Sequence, residues 1–318
     1  MNNLQIAIIR TVVFFDIFDY PLTLMEIWKW LYVTDGSQIA RKYLADIENE
    51  LTQITDKIEA KNGLYFLRGR EQIIRTRLER YGLAEDKYRK AVRFIKILRL
   101  IPFVKLVAVC NNLSYSNSSA ASDIDLFIIA EKNRIFSARF WVIGVLKLFG
   151  VRPAAESKRD TIDATFFISE DELDIENLRL KIEDQRSKTE DIYLTYWAEQ
   201  LVPVYDPFNL YQKFQSANGR LKNYLPNAIG YELNRRRQVK RSWGVRLVNL
   251  FISLLFDWPF WEKVFKNYQL KIMPRLLKEM MNKDSRVVVN DKILKFHQTD
   301  RREEYRDKFN YLVNRLID

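Results

Sequence analysis

Ser122-Asp123-Ile124-Asp125-Leu126-Phe127-Ile128-Ile129 is the stretch that decides how this chain is read. Asp123 and Asp125 lie two residues apart at the head of an apolar, β-branched run. In a strand, residues i and i+2 point to the same face, with Cα atoms about 6.5 Å apart. Unpaired acids on one face of a buried strand are costly to desolvate. A divalent cation removes that objection, because Mg²⁺ binds through one or two carboxylates plus the phosphates of a substrate. The strand start therefore reads as a seat for a hard cation and a polyphosphate, against the plainer reading of an acid pair at a solvated strand end.

The residues upstream extend the pattern. Val104 to Val109 reads as a strand, and Asn111-Asn112-Leu113-Ser114-Tyr115-Ser116-Asn117-Ser118-Ser119 as a polar turn leading to the acid-bearing strand. This arrangement resembles the DNA polymerase β-like nucleotidyltransferase superfamily. The superfamily pattern is Gly-Ser, a gap, Gly, a short gap, then Ser-Asp-x-Asp and apolar residues. Asn111 and Asn112 fall on Gly-Ser, Ser116 on the second glycine, and Ser122, Asp123 and Asp125 on Ser-Asp-x-Asp. The departures bear on the phosphate cradle. Glycine lets backbone approach a ligand and adopt positive φ, and Asn tolerates that region better than most other residues. Ser116 puts a Cβ at a tight place.

The resemblance implies a third acid on a neighbouring strand. Thr161 to Ile168 is the next strand-like run, and Asp163 is its candidate. Alternation places Ile162, Ala164, Phe166 and Ile168 on one face, and Asp163, Thr165 and Phe167 on the other. The resemblance also implies that Asp123, Asp125 and Asp163 are catalytic and bind Mg²⁺ or Mn²⁺. The loop with Asn111, Asn112, Ser116, Asn117 and Ser122 would then hold the NTP phosphates. Asn133 to Phe149 reads as a helix between the strands. Arg134 and Arg139 near its start face two readings, triphosphate contact or a solvated helix face.

The chain has 318 residues, 47% of them hydrophobic, which suits two or three domains and excludes general disorder. Cys110 is the one cysteine and His297 the one histidine, so an internal disulfide framework and a His-rich metal site are both excluded. Arg10 and Asp16 interrupt the apolar N-terminus, which does not read as a signal peptide. Together these place the expectation in the cytoplasm. The formal net charge of +11 suits an anionic partner and equally a lysine-rich soluble surface.

Residues 1–70 read as a winged-helix domain. Leu4 to Phe18 has helical spacing, and Thr23 with Glu26 forms a capping box for a second helix. A third helix is expected from Ser37 to Gln53, with Ile39, Tyr43, Leu44, Ile47 and Leu51 inward. Ile58 to Leu67 is a hairpin turned by Asn62-Gly63. The third helix carries Arg41 and Lys42 but also Asp46, Glu48 and Glu50. So acidic a face argues against duplex DNA and leaves protein contact or internal packing. Residues 71–98 read as a linker helix whose Arg and Lys residues form a solvated face.

A nucleotidyltransferase core is expected at 99–180 and a helical C-terminal region at 181–318, including a helix from Asp184 to Leu201 with Tyr193, Tyr196 and Trp197 inward. Val245 to Phe256 is apolar, ends in Asp257-Trp258-Pro259-Phe260-Trp261, and follows a basic run that includes Arg235, Arg236, Arg237, Lys240 and Arg241. Burial in a helical bundle is the simpler reading, and peripheral contact with an anionic membrane through 235–261 is the alternative. The whole chain also resembles a bacterial and archaeal group of nucleotidyltransferase-like proteins. That likeness runs through Phe18-Asp19-Tyr20-Pro21-Leu22-Thr23, Asn223 to Asn227, and Lys295-Phe296-His297-Gln298-Thr299-Asp300-Arg301-Arg302.

The expected fold class is thus α+β: a mixed-sheet nucleotidyltransferase core with an N-terminal winged helix and C-terminal helices. The expected activity is metal-dependent transfer of NMP from NTP to an acceptor hydroxyl on a protein, RNA or small molecule. A catalytically inactive relative that binds or regulates through its winged helix is the alternative.

Overall fold

The computed structural model describes residues 1–34, 43–153, 159–178, 191–230 and 237–317. The protein is α+β, with a six-stranded mixed sheet, a three-stranded antiparallel sheet and helices around both.

The chain opens with α1 (Asn3–Asp16), β1 (Leu22–Thr23), α2 (Leu24–Lys29) and α3 (Leu44–Gln53), then the hairpin β2 (Ile58–Lys61) and β3 (Leu64–Leu67). The small sheet has the order β1-β3-β2. Thr23 caps α2 as its sequence demands: its Oγ1 accepts from the Glu26 N–H at 3.2 Å, and the Thr23 N–H donates to the Glu26 carboxylate at 2.8 Å. Asn62 and Gly63 turn the hairpin with φ of 54° and 74°, the left-handed pair that a two-residue hairpin turn requires. The third helix corrects the expectation in one respect. Tyr43, expected inward, is 80% exposed at the N-terminus of α3. Ser37, Ile39, Arg41 and Lys42 lie outside the described residues.

Next, α4 (Ile73–Leu98) crosses to the large sheet. Its basic face is only partly solvated. Arg75 and Arg89 are exposed, but Arg77 forks onto Glu26 at 2.7 and 2.9 Å. Arg80 donates to the Phe18 carbonyl at 2.7 Å and pairs with Asp19 at 3.3 Å. These guanidiniums tie α4 back to the first two helices. Further along, Tyr88, Ala91, Ile95 and Leu98 are buried in the main core.

That core belongs to the sheet with the order β7-β4-β5-β6-β9-β8. Its strands are β4 (Val104–Val109), β5 (Ile124–Ala130), β6 (Ile162–Ser169), β7 (Val202–Tyr205), β8 (Val287–Val289) and β9 (Ile293–Phe296). A short turn, α5 (Asn111–Ser114), joins β4 to the loop before β5, and α6 (Ile135–Leu148) joins β5 to β6. After β6 come α7 (Ile192–Gln200), α8 (Leu210–Ala217), α9 (Trp243–Phe256), α10 (Pro259–Ile272), α11 (Arg275–Met280) and, last, α12 (Arg302–Ile317). The expected start of the helix at Asp184 lies outside the described residues. The region expected to be helical over 181–318 carries helices and also β7, β8 and β9, which complete both flanks of the sheet.

Strand β5 shows how the two faces are covered. Ile124, Leu126, Ile128 and Ala130 join the cluster built with α4, α6 and α10, while Phe127 and Ile129 join the cluster built with α7 and α8. Strand β6 does not keep a simple alternation. Asp125 lies opposite Asp163 and Phe127 opposite Phe166, so two steps on β5 span three on β6. This bulge overturns the expected face assignment: Ile162, Ala164 and Phe167 share one side, Phe166 and Ile168 the other. An extra residue re-aims every side chain beyond it, and bulges are frequent beside functional sites.

The N-terminal region shares its core with later helices. Phe14 stacks on Tyr196 of α7 at 3.9 Å, and Phe309 and Val313 of α12 join the same cluster. The same helix α7 carries Glu199, 1% exposed, whose carboxylate oxygens have no hydrogen-bond donor among the described residues. Burial pushes its pKa from 4.5 to about 7, against the pull of Lys222 and Lys29. The folded form therefore holds a proton that the unfolded chain has released, so stability falls as pH rises from about 4.5 to about 7. Glu199→Gln removes the titration without removing volume. We expect it to raise stability by about 1–3 kcal/mol at pH 8 and to leave it nearly unchanged at pH 5, as read by urea unfolding.

Candidate active site

The two acids of the pair are set by a short local structure. Asp125 lies in β5, and Asp163 faces it in register across the parallel β5–β6 pair. Asp123 stands one residue ahead of β5. Each of the three half-buried carboxylates offers an oxygen within 4.8 Å of those of the other two. The structure thus brings Asp123, Asp125 and Asp163 together.

Lys87 braces both strand starts. Its ammonium, 3% exposed, donates to the Ser122 carbonyl and to the Asp160 carboxylate, each at 2.6 Å. The Ser122 carbonyl also accepts the Asp160 N–H at 3.3 Å, and the Ile124 N–H donates to the Thr161 carbonyl at 2.8 Å. One lysine from α4 therefore holds the chain just before Asp123 and just before Asp163. Lys87 also pulls the Asp160 pKa below its ordinary value. The thiol of Cys110, at the end of β4, is pushed well up by burial and by the nearby carboxylates of Asp125, Asp163 and Asp123.

The acids line a cleft of about 490 Å³. Its lining also includes Asn111, Tyr193 and Trp197 and residues of the segment running from Lys295, which stands on β9 opposite Phe166 of β6, to Tyr305. Arg302 holds that segment in place. It is 5% exposed, donates to Asp191 at 2.6 Å and to Asp300 through Nε and Nη2, and also reaches the Leu178 carbonyl at 2.8 Å. Arg301 beside it is exposed and lines the cleft. Lys295 is buried and donates to the Ser285 carbonyl at 2.8 Å. Burial, helped by the nearby Arg302 charge, lowers its pKa to about 8, while that of His297 is lowered to about 4 by burial and the charge of Lys295.

The loop after β4 adopts backbone that glycine favours. Asn111 and Ser116 have φ of 55° and 60°, at the two positions aligned with the superfamily glycines. The Asn111 side chain accepts from the Tyr193 hydroxyl at 3.3 Å, and Asn112 accepts from the Tyr115 hydroxyl at 2.7 Å. Asn117 and Ser122 are committed to internal bonds. Buried Asn117 donates to the Phe18 carbonyl at 2.9 Å and accepts from Arg80 at 3.2 Å, and the Ser122 hydroxyl donates to the Ser119 carbonyl at 2.9 Å. Arg139 does not line the cleft. It donates to Gln269 of α10 and stacks on Phe296 at 4.2 Å, and burial lowers its pKa to about 10. Arg134 pairs with Asp257 at 2.6 Å, away from the acids.

Sequence reasoning did not mark Lys295, His297, Arg301 or Tyr305 as site residues. The available signal was the polar run directly after the short apolar strand Ile293–Phe296. No family model matches this chain, and neither a curated protein nor a solved structure does.

The brace yields a direct test. Lys87→Met keeps most of the buried stem but removes the ammonium from the Ser122 carbonyl and leaves Asp160 only the exposed Arg159, at 3.6 Å. We expect a loss of about 2–3 kcal/mol in urea unfolding, in line with lost hydrogen bonds to a charged group. An unchanged midpoint refutes the bracing role.

Proposed function

We propose that this chain is a polymerase β-like nucleotidyltransferase that moves an NMP from NTP to an acceptor hydroxyl. The observation that carries the reading is the convergence of Asp123, Asp125 and Asp163 within 4.8 Å, at the mouth of a cleft that also holds Lys295 and Arg301. The mixed sheet with Asp125 in register with Asp163 supports it. The order α1-β1-α2-α3-β2-β3 with the sheet β1-β3-β2 supports a winged helix ahead of the catalytic core.

An all-carboxylate donor set in a half-buried setting fits a hard cation such as Mg²⁺ or Mn²⁺. When bound, that ion neutralises charge on the phosphates and on the attacking and leaving oxygens. Asp123 and Asp125 hold it. Asp163 takes the proton of the acceptor hydroxyl as that oxygen bonds to the α-phosphorus. The bond from the α-phosphorus to the bridging oxygen breaks, and pyrophosphate leaves. Arg301 and Lys295 face the triphosphate, and the half-buried acids are positioned before the ligand arrives, as this positioning-dominated chemistry requires.

A second reading has its own observation. The Asn111 and Asn112 side chains are engaged by Tyr193 and Tyr115, on the loop where the superfamily leaves glycine and serine free for phosphate. A binding or regulatory protein that keeps the fold and has lost transfer fits this feature.

Incubation with labelled NTPs and Mg²⁺, followed by a search for labelled acceptor, separates the two. For the catalytic reading, Asp125→Asn weakens metal-dependent NTP binding at least about tenfold, a loss of about 1.4 kcal/mol. Asp163→Ala lowers transfer by about 100-fold or more while sparing most NTP affinity, as expected for loss of a base. NTP affinity that is independent of metal and unchanged in Asp125→Asn sinks this reading. The loop makes a further prediction: Asn111→Gly with Asn112→Ser and Ser116→Gly relieves the positive-φ positions and tightens NTP binding by calorimetry. Unchanged or weaker affinity assigns the loop another role.

A further inference from the structure

Helix α9 is oriented against the expectation of burial. Only Val245 and Asn249 are buried in it. Asn249 anchors the inner face, donating to the carbonyls of Arg99 and Leu100 at 3.2 and 2.8 Å, and Phe256 packs on Trp141 at 5.0 Å. The outer face is apolar. Trp243 is 75% exposed, Leu250 58%, Phe251 65% and Leu254 68%, with Leu247 between them at 47%. Their spacing, i, i+4, i+7, i+8 and i+11, is one stripe of a helix. Trp258 prolongs the stripe past the helix end and is 64% exposed. A surface helix of a soluble protein normally turns that stripe inward, and contiguous exposed patches of this kind mark interaction sites.

Charge identifies what covers it. Lys240, Arg241 and Arg246 stand at the N-terminal end, where Lys240 and Arg246 are exposed beside a cleft of about 610 Å³. Lys263 is exposed past the other end. The nearby acids of the described residues are engaged: Asp206, which lines that cleft, accepts the Leu210 and Tyr211 N–H groups at 2.8 and 2.9 Å, Asp257 pairs with Arg134 at 2.6 Å, and Glu262 accepts the Phe136 and Ser137 N–H groups at 2.8 and 2.9 Å. Arg235 and Arg236 of the basic run lie outside the described residues. The stripe is the outer side of a single helix rather than a groove, it ends in tryptophans, and it is flanked by Lys240, Arg246 and Lys263, which make no ion pair among the described residues. Tryptophan at the ends and cations at the flanks are the chemistry of a lipid interface. No helix among the described residues is long and apolar enough to cross a membrane, so the contact is one of lying flat.

We propose that α9 is a peripheral membrane-binding helix that sets its Trp243–Leu254 stripe into the headgroup region of an anionic bilayer, with Lys240, Arg241, Arg246 and Lys263 on the lipid phosphates. It does not depend on the activity assigned to the acid triad.

Flotation of the full chain with phosphatidylcholine vesicles, with and without about one-third phosphatidylglycerol, tests this, since each basic residue near an anionic surface adds to binding. The wild type is expected to float with the anionic vesicles at least tenfold better than with neutral ones, and less well as salt rises. Phe251→Glu with Leu254→Glu, and separately Lys240→Glu with Arg246→Glu, each reduce binding at least tenfold. All four side chains are exposed, and circular dichroism with a thermal midpoint confirms that the variants fold. Absence of flotation in the wild type overturns the proposal, as do variants that float equally well. A wild-type dimer that Phe251→Glu with Leu254→Glu converts to monomer, without vesicle binding, also overturns it and makes the stripe an interface between copies.

Discussion

The parallel pairing of β5 with β6 is the constraint on which the rest depends. It puts Asp125 opposite Asp163 in register, and like charges directly opposite each other repel. A sheet does not keep such a pair for stability. The strand starts are held in spite of it by Lys87, whose buried ammonium ties the Ser122 carbonyl to Asp160, and by the apolar remainder of both strands, which is buried on both faces. Placed where the strands begin, the acids stay half-buried and open to the cleft while the residues behind them fix the backbone. The bulge between Asp163 and Phe166 then lets Phe166 pack under Trp197, at 5.4 Å, on the face that carries the acids.

The same frame explains why the N-terminal region is fastened rather than tethered. Arg70 spans Asp16 at 3.1 Å and Asp19 at 2.7 Å, Arg77 forks onto Glu26, and Arg80 reaches both Phe18 and Asn117. Asn117 belongs to the loop that ends at Ser122. The first helices, α4 and the loop beside the acids are thereby one hydrogen-bonded unit. Exposed ion pairs contribute little each, but Arg77 and Arg80 are mostly buried and bond carbonyls as well as carboxylates. Tyr115 packs on Phe15 and Tyr20, Tyr193 packs on Phe18, and their hydroxyls donate to Asn112 and Asn111, which extends the junction to the positive-φ loop.

What the sequence made legible was local. The acid pair, the Thr23–Glu26 capping box and the Asn62-Gly63 turn each rest on residues within a few positions of one another. Helix existence was equally clear from apolar spacing. Contacts between distant segments were not: nothing near Lys295 says that it faces residues of β5 and β6 more than a hundred positions earlier. Alternation failed on β6 because a bulge leaves no mark in a run such as Ala164 to Ile168, where Thr165 is the one polar residue. Helix α9 failed for a related reason. An apolar stripe has the same spacing whether it turns toward a core or away from it, and here the choice was made by Asn249, a polar residue that seeks the open carbonyls at the end of α4.

The cleft is lined by charges of both signs. Asp123, Asp125 and Asp163 share it with Lys295, which stands on β9 opposite Phe166 of β6 and lies 4.0 Å from Asp300, and with Arg301, 4.0 Å from Glu304. Arg302, the strongest cation of that segment, is already consumed by Asp191 and Asp300, and so organises the wall without offering its charge. Burial, helped by Arg302, lowers the Lys295 pKa to about 8. An anion beside it would favour the ionised form, as an opposite charge does. A bound metal ion would do the reverse work for the acids, whose mutual repulsion it would remove. A polyphosphate carrying its own metal ion would meet the charges of both signs, and that pairing is the ligand class the proposed transfer reaction uses.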